Sequence, residues 1–115
     1  MDIIQGEQFM RYVGGTSIDY ASCSQIVLRV YNQANKETAF TFVKVADPVN
    51  YPGSSLLQLS DDPDYEVMMF VTTAMTLPLK PGCYYMEAKR TIAGVAQPIV
   101  KSKVPFFTVT KTLVP

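Results

Sequence analysis

The sequence predicts an all-β chain folded as an antiparallel β-sandwich of about seven strands. Three observations carry this expectation. Apolar and polar residues alternate within short segments. Gly, Pro, Asn and Asp recur between those segments, and no segment sustains a period near 3.6 residues. With 115 residues, 48% of them hydrophobic and 17% charged, the chain is long enough for one core and too short for two. Residues 1–115 are therefore expected to form a single sandwich domain.

Residues 8–13 form the first expected strand, ended by Gly14-Gly15. Residues 25–31 (QIVLRVY) give the clearest one: Ile26, Leu28 and Val30 fall on one face and Arg29 on the other. Residues 32–36 are polar and contain two asparagines, which suits a turn. The next strand, residues 38–45 (TAFTFVKV), is rich in β-branched and aromatic side chains. Pro48, Pro52 and Gly53 mark residues 47–55 as a loop. A short strand at 56–59 and a turn at 61–64 (DDPD) follow. Residues 65–72 (YEVMMFVT) are apolar on both faces, as expected of a strand lying centrally between covered surfaces. One helical turn fits residues 74–79, limited by Pro78. A reversal at Pro78, Pro81 and Gly82 leads into a strand at 83–90 and a hairpin turn at 91–94. Strands at 95–101 and 106–110 close the set. This pattern fits a sandwich of immunoglobulin-like type, with a small closed barrel as the alternative.

The two inner faces are expected to hold Ile26, Leu28, Val30, Phe40, Phe42, Val67, Met69, Val71, Tyr84, Met86, Phe107 and Val109. Met68 and Phe70 then point the other way, either under a loop or into a contact surface. Seven tyrosines suit an interface as well as strands, since each buries area and keeps a hydrogen-bonding tip.

Chemistry-bearing groups are sparse. The formal net charge is zero, which argues against a nucleic-acid partner. No histidine is present, removing the commonest general base and metal ligand. No apolar run approaches a membrane span. Asp61, Asp62 and Asp64 lack calcium-loop spacing and read as a solvated turn around Pro63. Cys23 and Cys83 read as two small, mostly buried thiols, or else as a disulfide joining two facing sheets. The start MDIIQGEQF has neither the basic opening nor the apolar run of a secretory signal, so synthesis without export is expected. No cofactor, metal or small-molecule substrate is expected, and the protein is read as a non-enzyme.

Several passages, in order, resemble small β-sandwich domains of tailed-bacteriophage structural proteins, of the type found at the N-terminus of baseplate and tail-fibre-associated proteins. The start IIQGEQF resembles their QGD-T-F opening. Ser17-Ile18-Asp19-Tyr20-Ala21, followed by Ile26-x-Leu28-x-Val30, resembles their passage into the second strand. Leu77-x-Leu79-x-Pro81-Gly82-x-Tyr84-Tyr85-x-Glu87 resembles L-x-PG-x-Y-x-Y-D, and residues 105–109 resemble the closing strand. Tyr20, Ser22 and Arg90 stand where leucine, glycine and an apolar residue are usual.

The resemblance implies a virion protein, made in the host cytoplasm, that docks onto other virion proteins in a homo- or hetero-oligomeric assembly. Phe9 and Met10, together with Met68 and Phe70, are the candidate contact residues. Pro98 and Pro105 would guard one sheet edge against uncontrolled pairing. With the sequence ending at Pro115, the expectation is a connector, adaptor or surface-decoration protein rather than a host-recognition protein.

Overall fold

The computed structural model describes residues 1–13, 22–44, 56–65, 67–102 and 104–110. The expected turn at Gly14-Gly15, the loop at 47–55 and the motif at 17–21 lie outside them. Among the described residues there are ten strands and one short helix: β1 (Asp2–Ile4), β2 (Phe9–Val13), β3 (Gln25–Asn32), β4 (Thr38–Lys44), β5 (Leu57–Leu59), β6 (Val67–Val71), α1 (Thr73–Thr76), β7 (Gly82–Ile92), β8 (Val95–Ala96), β9 (Val100–Lys101) and β10 (Phe107–Thr110).

The strands form two sheets rather than one closed barrel. The larger runs β1-β10-β7-β3-β4, with β8 and β9 also on β7; the smaller runs β2-β6-β5. Apart from the parallel β1–β10 pair, every ladder is antiparallel. The long strand β7 organises the larger sheet. One side pairs with β3 from Gln25↔Thr91 to Asn32↔Tyr84. The other side takes β10 near its start, β9 in its middle and β8 at its end.

Period-two alternation sends one face of each sheet into a shared core. Ile26, Leu28, Val30, Phe42, Tyr84, Met86, Phe107 and Val109 come from the larger sheet, and Leu57, Val67, Met69 and Val71 from the smaller. Phe40 packs against them, partly buried. Phe107 joins the sheets. Its ring stacks on Tyr84 at 5.2 Å and on Phe40 at 6.1 Å, and meets Phe9 of the smaller sheet edge-on at 5.6 Å. Ile3, Cys23, Leu79, Ala88 and Phe106 complete the buried hydrophobic set among the described residues.

Two inward positions hold arginine. Arg11 pairs with buried Met69, and Arg90 with buried Ile26. The Arg11 guanidinium lies 4.9 Å from the Phe106 ring centre, and burial lowers its pKa. Arg11 Nη1 and Arg90 Nε are both buried without a hydrogen-bond partner.

Four sequence expectations need correction. Residues 95–101 are not one strand: Pro98, which has no N–H to donate, separates β8 from β9. Only Pro98 of the two guarding prolines sits on the outer segment along β7; Pro105 precedes β10, whose far side is taken by β1. The expected hairpin turn shrinks to Ala93-Gly94, both at positive φ, because β7 and β8 pair up to Ile92↔Val95. The disulfide between facing sheets does not form. Cys23 precedes β3 and Cys83 begins β7 in the same sheet, so antiparallel pairing puts them at opposite ends, on the order of 30 Å apart at about 3.4 Å per residue.

The chain crosses from the larger sheet to the smaller between β1 and β2. Gly6 makes this crossing at φ 84°, and a Cβ there would lie 3.3 Å from Leu77 Cδ1. Gln5 Nε2 donates to the Leu79 carbonyl at 2.5 Å, and the buried Thr76 hydroxyl donates to the Glu7 carbonyl at 2.8 Å. The segment around α1 thereby holds the crossing in place.

Candidate functional site

The antiparallel register of β2 on β6 decides which expected contact residues meet. Met10 lies opposite Phe70, and Tyr12 opposite Met68. Gln58 of β5 lies on the other flank of Met68. Their neighbours Arg11, Val67, Met69 and Val71 point into the core, so Met10, Tyr12, Met68 and Phe70 share the outer face of the smaller sheet. Met10 is 38% exposed; Tyr12, Met68 and Phe70 are half-buried.

Phe9 is not part of that face. It points inward against Phe106, at 6.4 Å between ring centres, and against Phe107. Its register partner Val71 is a core residue. The same alternation that brings Met10, Met68 and Phe70 together necessarily sends Phe9 the other way. Between the two faces, Gln8, Phe9, Met10, Phe70, Val71 and Thr72 line an open hollow of about 310 Å³.

The turn after β5 borders the face. Tyr12 donates its phenolic O–H to Asp61 Oδ1 at 2.6 Å, and its ring stacks on Tyr65 at 5.2 Å. The hydrogen bond to Asp61, then desolvation and the negative charges of Asp61 and Asp62, raise the Tyr12 pKa. Within the turn, the Ser60 hydroxyl accepts from the Asp62 N–H, and Asp62 Oδ1 accepts from the Asp64 N–H. Asp61 and Asp62 are thus engaged in shaping the turn and orienting Tyr12. Among the described residues no group of three or more His, Cys, Asp or Glu side chains is arranged to hold a metal ion, and no helix is long and apolar enough to cross a membrane.

The outer face of the larger sheet has different chemistry. Arg29 Nη1 meets Glu87 Oε1 at 3.2 Å, its Nε donates to Thr38 Oγ1 at 2.5 Å, and Nη2 donates to the Lys36 carbonyl. The guanidinium also lies 4.9 Å from the Tyr31 ring centre, and Tyr31 in turn lies beside Tyr85 at 6.3 Å. Charge and hydrogen-bonding groups here are matched to one another.

Tyr12 and Tyr65 were not singled out as contact residues by sequence reasoning. The spacing of Tyr12 from Met10 was a usable signal, since i and i+2 share a strand face. Tyr65 lies before β6 rather than in the expected strand at 65–72, whose alternation would have put it with Val67 on the inner face. No protein-family model matches the chain, and no curated protein matches it.

Proposed function

We propose that this protein is a non-enzymatic structural component of a tailed-bacteriophage virion, a tail or baseplate connector or a capsid-surface protein, and that its sandwich is immunoglobulin-like. It works by docking onto other virion proteins. The observation that carries the docking reading is the outer face of the smaller sheet, where four apolar or aromatic side chains from β2 and β6 meet in register. Aromatic residues and methionine are the side chains enriched in protein interfaces.

Two observations support the immunoglobulin-like reading. The pairing order β2-β6-β5 opposite β10-β7-β3-β4 follows the two-sheet arrangement of such domains. Tyr84, near the start of β7, donates its O–H back to the Lys80 carbonyl at 2.7 Å, the corner contact found where such domains enter the corresponding strand. The ordered resemblance to phage sandwich domains supports the virion assignment.

The test is mass spectrometry of purified phage particles encoding this chain, alongside a Met10→Glu/Phe70→Glu variant. The wild-type chain is expected in the particles, and the folded variant is expected to be excluded. A wild-type chain that stays monomeric and is absent from particles overturns the proposal. One observation favours a second reading, a cellular adhesion or carbohydrate-binding module: Tyr65 is 44% exposed and stacks on Tyr12. Glycan-array binding that disappears in Tyr65→Ala would replace the virion reading with that one.

A further inference from the structure

We propose that β1 is an exchangeable strand that pairs with β10 of a second copy of this chain, and that α1 is the latch controlling its release. The attachment of β1 is narrow. It has three register partners, Asp2↔Thr108, Ile3↔Val109 and Ile4↔Thr110, and lies at the edge of the larger sheet. Ile3 is its one buried side chain. Two further bonds tie this region down: Thr108 N–H to the Met1 carbonyl at 2.9 Å, and the Thr110 hydroxyl to the Ile3 carbonyl at 3.2 Å. By contrast, β7 pairs with β3 along the whole length of β3. Strands with few buried contacts open locally well before the whole domain unfolds.

What holds β1 in its own chain is largely the crossing that follows it. That crossing is fixed by the Thr76 hydroxyl on the Glu7 carbonyl, by Gln5 on the Leu79 carbonyl, and by Gly6 seated against Leu77 and Thr73. All of these contacts come from α1 or the residues just after it. Loss of the part-buried Thr76 bond leaves the Glu7 carbonyl without its hydroxyl donor and loosens the crossing without touching the β1–β10 ladder itself.

The occupant of the vacated position follows from the structure. The place beside β10 is matched to Asp2-Ile3-Ile4 in parallel register, with Ile3 buried opposite Val109 and the two outer positions opposite Thr108 and Thr110. The same sequence on a second copy fits it by construction, and exchange of an identical element is a low-cost route to association. This inference does not rest on the virion reading. It uses a different surface from Met10 and Phe70.

The test mixes full-length Ile4→Cys chains with full-length Thr110→Cys chains, each also carrying Cys83→Ser, under mild oxidation. Ile4 and Thr110 are register partners and both are exposed, so β1 of one copy beside β10 of another brings the two thiols together, and dependence on Ile3 separates this from chance encounter. The heterodimer is expected to form, and about tenfold faster when both chains carry Thr76→Val. Adding Ile3→Asp to the Ile4→Cys chain is expected to abolish it. Hydrogen exchange at Leu28 and Met86 confirms that each variant keeps its core. No heterodimer, or the same yield with Ile3→Asp, overturns the proposal. Met10→Glu/Phe70→Glu is expected to leave the cross-link unchanged, and its loss would place the contact on the docking face instead.

Discussion

The outer faces of the two sheets are built from the same alternating pattern and end in opposite chemistry. On the larger sheet, Arg29 satisfies Glu87, Thr38 and the Lys36 carbonyl and lies over Tyr31, so the polar groups are largely consumed within the molecule. On the smaller sheet, Met10, Met68 and Phe70 present apolar surface, bordered by the Tyr12–Asp61 bond and by Gln58. The first face is satisfied by its own residues. The second gains by being covered. Inward burial stabilises both sheets alike, and the contrast therefore lives entirely on the outward positions.

The largest expected effect calibrates that contrast within a single strand. Met69 is fully buried and Met68, its neighbour on β6, is not. Met69→Ala should cost about 2–5 kcal/mol and Met68→Ala under about 1 kcal/mol in urea unfolding. Equal costs would mean that the outer face is as covered as the core.

Next in size is the larger sheet. Arg29→Met removes the ion pair with Glu87, whose side chains are 30% and 14% exposed, together with two further hydrogen bonds. A loss of about 1 kcal/mol is expected, most of it persisting at moderate salt because the bonds to Thr38 and Lys36 carry part of it. Phe70→Lys on the smaller sheet should shift stability by less than about 1 kcal/mol in either direction while abolishing the proposed docking, measured by co-sedimentation with phage particles. A face that matters for folding would show the reverse.

The smallest effect concerns the anchor at the border of the apolar face. The Tyr12 pKa is raised, first by its bond to Asp61. Below about pH 10, the ordinary tyrosine value, the phenol is protonated in both folded and unfolded chains and the bond contributes fully. As pH rises above that, the unfolded chain releases its proton first, and the contribution is lost as pH passes through the higher folded value. Spectrophotometric titration should show one phenol ionising late in the wild type and returning toward the others in Asp61→Asn.

Much of this arrangement was legible in the sequence. The alternation of Ile26, Leu28 and Val30 and of Tyr84, Met86 and Ala88 located β3 and β7, because each strand buries one face only. The apolar run of β6 was read as lying between covered surfaces, yet its outer residues Met68 and Phe70 are only half-buried; an apolar side chain alone does not say what covers it. β1 escaped notice because three residues carry no readable period, and its partner β10 lies about a hundred residues away. The inward arginines were hidden for a related reason. Charged residues normally mark the outer face, but Arg11 and Arg90 occupy positions that register, not polarity, assigns to the interior.

β7 has a consequence for the order in which the molecule assembles. It follows both sheets' earlier strands in the chain, and β3, β8, β9 and β10 all align on it. During synthesis the β3–β4 hairpin can close early, yet the other edge of β3 has no partner until β7 has emerged. The strands that precede β7 therefore carry an unpaired edge and half-assembled surface, and folding is gated by a single late-arriving segment on which the rest aligns.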